Sequence, residues 1–481
     1  MKTFNQIMFL STLLFFASCE ETVIEDETNI DVNVTENDQP VADCSTAPAE
    51  WFTEVNGVRV TPKPNEGPTS VFADITGVTN CDFQRWSWQK FLWLTNETNG
   101  RPFFLDNMTQ VSSHGDTLAK GGAVILTDTG QASSSSDILK TNSSAATAEN
   151  TVYYSIMAND SLLSAMKKYG PMVNVDADST KLKGITFPVG ALEMKTSWLN
   201  ADALGADSST YFITDGTIDG APKRVALLGI HVVGIVENHP EFIWATFEHD
   251  ELAPMYDWSQ ASHISDADVT STDGYPLFTA NTKATVKNIT TGAGINTDVF
   301  TVYDHGVPVE INEAGEKVYM NTSQEDALEN LQNIQDLNSS VKDQLTDVWR
   351  NYFLNSSIWI NTEDYVGIEA QAELLVTLGG NLGDVSPNKL PRGSTAAFNI
   401  TMETYVQFGY RTEHLYTATV DSLMNCFSCH SASHSGANSP LKISHLFNGY
   451  AGRLAGESKA DVKKRHLEIT RANAILRRMK K

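Results

Sequence analysis

Two cysteines and a histidine follow one another as Cys426, Cys429 and His430 in the stretch "NCFSCH". The order C-x-x-C-H brings two thiols and an imidazole within about one helical turn. Such a set can attach a haem, bind zinc, form a redox disulfide or have no chemical role. A structural zinc site needs two further Cys or His ligands, and the sequence has no second C-x-x-C. A thioredoxin-like pair follows a strand in a βαβ unit, whereas the patterns around this motif are mainly helical.

Covalent haem attachment is the chemistry that this spacing favours. The two thiols can reach the two vinyl groups of a haem, and the next histidine is then carried beneath the iron. We therefore predict one haem c, with Cys426 and Cys429 as thioether attachments and His430 as the proximal axial ligand. For the sixth ligand, His445, Met402 and no protein ligand remain open alternatives. A six-coordinate iron favours electron transfer, whereas an open position admits peroxide or oxygen.

The first residues have the pattern of an export signal. Lys2 precedes an apolar run, "IMFLSTLLFF", that is too short to span a bilayer. The run ends in "FASC", so that small residues come directly before Cys19, as in a bacterial lipoprotein signal. We predict that Cys19 is acylated and anchors the protein to a membrane; a plain secretory signal is the alternative. The acidic stretch after it, which lacks aromatic residues, is predicted to be a disordered tether.

The sequence contains five cysteines, and the prediction assigns a role to each. Cys19 takes the lipid, and Cys426 and Cys429 take the haem. The remaining pair, Cys44 and Cys81, is predicted to form a disulfide, because exported proteins fold in an oxidising compartment. This bridge would hold the Pro-rich stretch between the two cysteines against the body of the protein.

Composition limits the classes of protein and partner. Hydrophobic residues make up 41% of the 481 residues and charged residues 19%, which is typical of a globular protein with two or three domains. The formal net charge of −25 argues against a nucleic-acid partner, because the protein's own field would repel phosphates. The charge suits a well-hydrated exported protein.

The predicted elements change in kind along the chain. Residues 82–110 are dense in aromatic residues and indicate a buried helix followed by a strand, and 151–310 contain closely spaced β-branched and aromatic runs. After residue 321 the spacing is helical, including "SSVKDQLTDVWRNYFLN". We predict an α+β fold, with a β-rich N-terminal domain (an antiparallel sheet or sandwich) and a mainly helical, cytochrome c-like C-terminal domain. The predicted boundaries are 1–19 for the lipoprotein signal peptide, 20–43 for the acidic tether, 44–320 for the β-rich domain, 321–450 for the haem domain and 451–481 for a basic amphipathic tail.

One further segment, "HPEFIWATFEHDELAP", is rich in groups that can bind metals. His231, His239, Glu248 and His249 lie close together in the sequence and form a possible metal or catalytic cluster. In a strand, however, Glu248 and His249 would point to opposite faces. We therefore predict a core strand, one end of which lines the haem pocket.

The chain resembles exported bacterial proteins of the cytochrome c family that have a single C-x-x-C-H near the C-terminus. The resemblance lies in the phrases "WSWQKFLWLT", "FPVGALEMKTSW", "LGIHVVGIVENHPEFIWATFEHDELAP", "VWRNYFL", "NITMETYVQ" and "NCFSCH". The acidic stretch after Cys19 is similar to the surface-export signal of Bacteroidota lipoproteins. The resemblance implies haem c and electron transfer, and names no substrate.

These observations together predict an exported, lipid-anchored monohaem cytochrome that carries out one-electron transfer with an unknown redox partner protein. It is expected at the outer membrane or cell surface, with the periplasmic face as the alternative. Two other functions stay open: a haem enzyme, peroxidase-like or the electron-accepting subunit of a dehydrogenase, and a surface binding module in which the haem is structural.

Overall fold

A computed structural model describes most of the chain between residues 44 and 455. The described residues are 44–126, 151–175, 182, 184–252, 268–270, 275–276, 283–285, 309–311, 317–319, 327–378, 390–394, 399, 401–402, 425–432 and 439–455. They belong to one compact unit, Ala42–Lys481.

The described elements are helices of 4 to 18 residues and a larger number of strands. The helices are α1 Asn80–Leu94, α2 Phe103–Asn107, α3 Asp160–Val175, α4 Ala327–Gln344, α5 Ile368–Leu378, α6 Cys426–Cys429 and α7 His445–Ala455. The strands are β1 Glu54–Val55, β2 Val58–Arg59, β3 Glu97–Thr98, β4 Arg101–Pro102, β5 Thr109–Val111, β6 Thr117–Lys120, β7 Val124–Leu126, β8 Tyr153–Ala158, β9 Leu192–Asn200, β10 Ile213–Ile218, β11 Ala221–Val236, β12 His239–His249, β13 Asp268–Thr270, β14 Lys283–Thr285, β15 Val309–Ile311, β16 Lys317–Tyr319, β17 Tyr352–Ile360 and β18 Pro391–Gly393. Segments of 3-10 helix occur at Ala49–Phe52, Val71–Ala73, Ala201–Thr210, Val348–Asn351 and Pro440–Ile443, and the third of them is interrupted by a kink at Gly205.

Ten of these strands form the main sheet. Their order is β18-β17-β12-β11-β9-β8-β5-β6, and β10 pairs with the first part of β11 and with β7. Every pairing is antiparallel except β10 with β7. The long strand β11 is central because it pairs with β9, β10 and β12. The prediction of an α+β fold with a β-rich part is confirmed at this level.

The first face of the sheet packs against helices α1 and α4. Ile243, Ala245 and Phe247 of β12 point to this face and are buried in its core. Phe91 of α1 stacks on Phe247 with ring centroids 4.3 Å apart. The predicted buried helix in 82–110 is therefore confirmed by α1, and its aromatic residues serve packing.

A polar contact joins α1, α4 and β17 beneath this core. The indole nitrogen of Trp88 donates to Asn338 Oδ1 at 2.9 Å. The same Asn338 donates to the carbonyl of Leu354 at 2.9 Å and accepts from its amide at 3.0 Å. Since every one of these groups is buried, the hydrogen bonds keep polar atoms of the interior satisfied.

The second face of the sheet carries Trp244, Thr246 and Glu248 of β12 and packs against α3, α5, α7 and the C-x-x-C-H segment. Phe427, which lies between the two cysteines of the motif, is fully buried in this second core. The sheet thus separates two cores, and the motif belongs to the second.

One expected helix is a strand. The helical spacing in "VKDQLTDVWRNYFLN" predicts a helix through Tyr352, but α4 ends at Gln344 and Tyr352–Ile360 forms strand β17. Every residue of β17 is buried, so the strand has no solvent-exposed face and lacks the alternation that identifies a half-exposed strand. Strands β17 and β18 belong to the same sheet as the strands that precede residue 320.

Candidate functional site

The two cysteines lie on a single helical turn that the second core holds in place. The side chain of Asn425 accepts a hydrogen bond from the amide of Phe427 at 3.0 Å, which caps the start of α6. The amide of His430 then bonds to the carbonyl of Cys426 at 2.8 Å, so His430 continues the same turn. Cys426 and Cys429 are half-buried thiols. Two thiols and an imidazole are therefore presented together, as the spacing predicts.

The imidazole of His430 is held in one orientation by a backbone carbonyl. Its Nδ1 lies 2.9 Å from the carbonyl oxygen of Ile443. Since a carbonyl can only accept, Nδ1 carries the proton, and Nε2 then has a lone pair directed away from this contact. Within the described part of the chain, Nε2 has no hydrogen-bond partner. This is the arrangement in which an imidazole ligand is fixed by an outer partner while its other nitrogen stays available for a metal.

Two other aromatic rings pack on this imidazole. His445 stacks on His430 with centroids 3.8 Å apart and planes 21° apart. Trp244, on β12, has its ring centroid 4.1 Å away at an angle of 48°. These contacts restrict rotation of the His430 ring about its Cβ–Cγ bond.

The surroundings of His430 favour the neutral imidazole. Burial lowers its pKa well below the ordinary value, and electrostatic interaction with His445 and, more weakly, with His231 and Lys195 lowers it further. The hydrogen bond to Ile443 opposes this effect. A neutral imidazole is the form that binds iron or any other metal.

The segment that supplies the Ile443 carbonyl is tied to the sheet. Ser444 joins the 3-10 turn to α7, where its Oγ accepts from the amide of Phe447 at 3.1 Å. The same hydroxyl donates to Glu193 Oε2 of β9 at 2.8 Å. Burial raises the pKa of Glu193 to about 7, against the opposing effects of Ser444 and Lys195. A half-buried carboxyl on the sheet thus holds the residue next to the carbonyl that orients His430.

The sheet beneath the motif is organised in cross-strand rows. Glu193, Val233 and Trp244 are paired in register across β9, β11 and β12. In the next row Lys195 is paired with His231, and His231 with Thr246. The second row is polar, so the motif lies over apolar and charged groups together.

The two candidate sixth ligands occupy different surroundings. His445 covers the ring of His430, and its Nε2 lies 3.0 Å from the carbonyl oxygen of Cys429. Met402 is fully buried next to Thr401, whose hydroxyl is 2.6 Å from that of Ser197 on β9.

The histidines and glutamates around β12 lie apart from one another. His239 pairs with Glu241 at 2.8 Å, Glu248 accepts from Asn355 at 2.7 Å, and His249 lies 3.0 Å from the Thr210 carbonyl. Glu248 is on the second face, whereas His249 stacks on Tyr211 with centroids 3.6 Å apart. Among the described residues, no group of three or more His, Cys, Asp or Glu side chains is arranged to hold a metal ion.

The remaining predictions concern the two ends of the chain. Cys44 and Cys81 form a disulfide with their Cα atoms 5.6 Å apart, so this predicted pair is confirmed. Cys19, the signal peptide and the tether lie outside the described residues. Of the predicted basic tail, 451–481, the first five residues belong to α7 and the rest lie outside the described residues. Within the described part, no helix has both the length and the apolar composition needed to cross a bilayer.

Sequence reasoning missed three residues that shape the site: Trp244, Ile443 and Glu193. Glu193 did have a signal, since it is a lone carboxyl in the otherwise apolar run "GALEM". The contribution of Ile443 is a backbone carbonyl, which no side-chain pattern encodes.

Comparisons with known proteins found no relative of this chain. The chain matched no family model, no curated protein and no solved structure.

Proposed function

We propose that this protein is an exported, lipid-anchored monohaem c-type cytochrome that transfers single electrons. In this proposal Cys426 and Cys429 form the thioether bonds, His430 is the axial ligand, and α6, the Pro440–Ile443 turn and α7 are parts of a cytochrome c-like region. The likeness to exported cytochrome c family proteins and the lipid at Cys19 belong to the same proposal.

One observation supports the proposal more than any other. His430 Nδ1 is committed to the carbonyl of Ile443 at 2.9 Å, while its Nε2 has no partner among the described residues. A zinc ion would also use a histidine fixed in this way, but a structural zinc site needs further Cys or His ligands beside this set, and a redox disulfide needs no fixed histidine at all. An axial ligand of haem does require it, because its orientation determines how it meets the iron.

The protein's own residues have defined roles in this proposal. The iron, when bound, supplies a reversible one-electron couple. His430 supplies a neutral imidazole, the Ile443 carbonyl holds its proton on Nδ1, and the sheet excludes water from one side of the motif. Phe427 keeps the two thiols at a fixed separation by anchoring their turn in the second core.

A second candidate function is a haem enzyme with an open iron position, peroxidase-like or the electron-accepting subunit of a dehydrogenase. The observation that favours it is the contact of His445 with the face of His430 and with the Cys429 carbonyl. A histidine that kept these contacts would not bind the iron, and if Met402 did not bind either, the iron would be open to small molecules.

The test is to produce the chain in a bacterial periplasm together with the haem c maturation machinery. We expect haem that stays bound to the denatured polypeptide. In alkaline pyridine its absorption spectrum should be that of a haem attached through two thioether bonds. Cys426→Ala/Cys429→Ala should lose this haem entirely. Cys44→Ala/Cys81→Ala is the matched control, since it removes two other cysteines and should keep the haem.

Carbon monoxide then separates the two functions. A reduced spectrum that carbon monoxide leaves unchanged supports electron transfer through a six-coordinate iron. Rapid carbon monoxide binding supports the enzyme. A purified protein without covalent haem contradicts both.

A further inference from the structure

Strand β12 begins with a large irregularity directly beside the motif. Val236 pairs with His239 and Gly234 with Ile243, so the single residue Ile235 on β11 faces three residues on β12. Within this bulge Phe242 has a φ of 71°, a conformation that bulky residues rarely adopt. Phe242 is nevertheless fully buried. Bulges and residues of this kind are often found where a fold must aim a side chain.

The bulge is fixed by its own side chains. Glu241 accepts a hydrogen bond from the amide of Ile360 on β17 at 3.0 Å and pairs with His239 Nδ1 at 2.8 Å. Phe242 packs against Phe187 with centroids 5.3 Å apart. The unusual backbone is therefore held from the neighbouring strand and from the second core.

The consequence is a contact between the bulge and Trp244. The carbonyl of Glu241, immediately before Phe242, accepts a hydrogen bond from Trp244 Nε1 at 3.2 Å. Phe242 and Trp244 also touch edge to face, with centroids 6.0 Å apart. The indole is therefore oriented from both its polar and its apolar side. Its ring lies 4.1 Å from His430.

We propose that Trp244, oriented by the Phe242 bulge, is a positioning residue that sets the plane of the His430 imidazole. The inference rests on the proposed function, since it assigns to Trp244 the role of orienting His430, the proposed haem ligand. Trp244 acts through His430, as outer partners of metal-binding histidines do, and such partners typically change metal affinity by about 10- to 100-fold.

The test uses Trp244→Leu and Trp244→Phe in the haem-loaded protein, with Trp359→Phe as the matched control. Trp359 lies on the neighbouring strand β17 and stacks on Phe83 of the first core, away from the motif. The measurements are the covalent haem content, the g-values of the ferric haem by electron paramagnetic resonance, and the midpoint potential.

We expect all three variants to keep their covalent haem. Trp244→Leu should change the g-values. It should also alter the ratio of the affinities of the site for oxidised and reduced iron about tenfold, which shifts the midpoint potential by about 59 mV for one electron. Trp244→Phe, which retains a ring but loses the bond to Glu241, should have a smaller effect in the same direction. Unchanged g-values and potential in Trp244→Leu would overturn the inference while leaving the proposed function intact.

A second measurement does not depend on haem. In apoprotein made with ¹⁵N-labelled histidine, long-range ¹H–¹⁵N spectra report which nitrogen of His430 is protonated. The ring plane that Trp244 sets is also the plane in which Nδ1 meets the Ile443 carbonyl, so loss of the indole should weaken this hydrogen bond. We therefore expect the Nδ1–H form in wild type and in Trp359→Phe, and a mixture of tautomers in Trp244→Leu. A pure Nδ1–H form in Trp244→Leu contradicts the inference even if the wild-type protein takes up no haem.

Discussion

At Glu193 the fold keeps a carboxyl group where ionisation is unfavourable. Burial raises its pKa to about 7, so the folded protein binds a proton between about pH 4.5 and 7 that the unfolded chain has released. Stability therefore falls as pH rises through this window. We expect Glu193→Gln to remove this slope. At pH 8 its free energy of unfolding should exceed that of wild type by roughly 1 to 2 kcal/mol, a value that allows for solvent screening of a half-buried side chain.

Urea unfolding between pH 5 and 8 measures this effect. Glu369→Gln at the exposed start of α5 is the control and should keep the wild-type slope. A Glu193→Gln variant with the wild-type slope would show that its carboxyl is not the titrating group.

His249 should give a slope of the opposite sign in acid. Burial lowers its pKa to about 4, although the carbonyl of Thr210 favours the charged form. Between about pH 6.5 and 4 the unfolded chain binds the extra proton, so stability is lost as pH falls. As pH falls through this window, the free energy of unfolding of His249→Gln should decrease by about 1 to 3 kcal/mol less than that of wild type. Urea unfolding from pH 7 to 4 checks the result, with exposed His114→Gln as the control.

Sequence reasoning succeeds for residues whose relation is local. Cys426, Cys429 and His430 lie on one turn, so their spacing alone predicts that they meet. Trp244 and Glu193 reach the motif only because β9, β11 and β12 pair in a particular register. That register depends on packing across the whole sheet, which no short pattern contains.

Among the elements, α7 has two glycines in contrasting positions. A Cβ on Gly449 would overlap the carbonyl of Ser113, whereas a Cβ on Gly452 meets nothing within 4 Å. We expect Gly452→Ala to stabilise by about 0.5 to 1 kcal/mol, as alanine does in a helix. Gly449→Ala should destabilise by roughly 1 to 3 kcal/mol, because α7 must shift. Thermal unfolding of the two variants side by side measures both changes in stability. Equal melting temperatures would contradict the close packing of α7 at Gly449 against Ser113.

The disulfide connects an irregular segment to α1. Cys44 precedes the Pro-rich stretch and Cys81 lies in the first turn of α1, 37 residues later. Closing a loop of this length removes entropy from the unfolded chain, worth about 3 to 4 kcal/mol in the loop-entropy model. The free energy of unfolding of Cys44→Ala/Cys81→Ala, measured by chemical denaturation, should be lower than that of wild type by this amount. Dithiothreitol should reduce the stability of wild type and leave the variant unchanged; an equal response in both would contradict the assignment.

The helix expected through Tyr352 shows why element type was harder to predict than element position. Tyr352 is spaced like a helical core residue, yet its hydroxyl donates to the Leu227 carbonyl at 2.8 Å from within β17. A strand buried on both faces carries no alternation, so helix and strand patterns look alike there.

At the scale of the whole molecule, one sheet unites early and late parts of the chain. Strand β12 pairs with β11 on one side and β17 on the other. Helix α4 fills the first core from residues beyond 327, and α7 packs on the second face with the motif. The strands before residue 320 thus depend on elements after it.

A fragment of residues 44–320 is therefore expected not to fold on its own. Without β17, β12 becomes a long, apolar edge with unpaired backbone groups, which favours aggregation. Without α4, Trp88 loses its partner Asn338, and the first face is uncovered. We expect 44–320 to be aggregated or to lack cooperative unfolding by circular dichroism, while 44–481 unfolds in one transition. A soluble fragment with a sharp transition would mean that the early strands form an independent domain, and that β17 and α4 add to a sheet already stable without them.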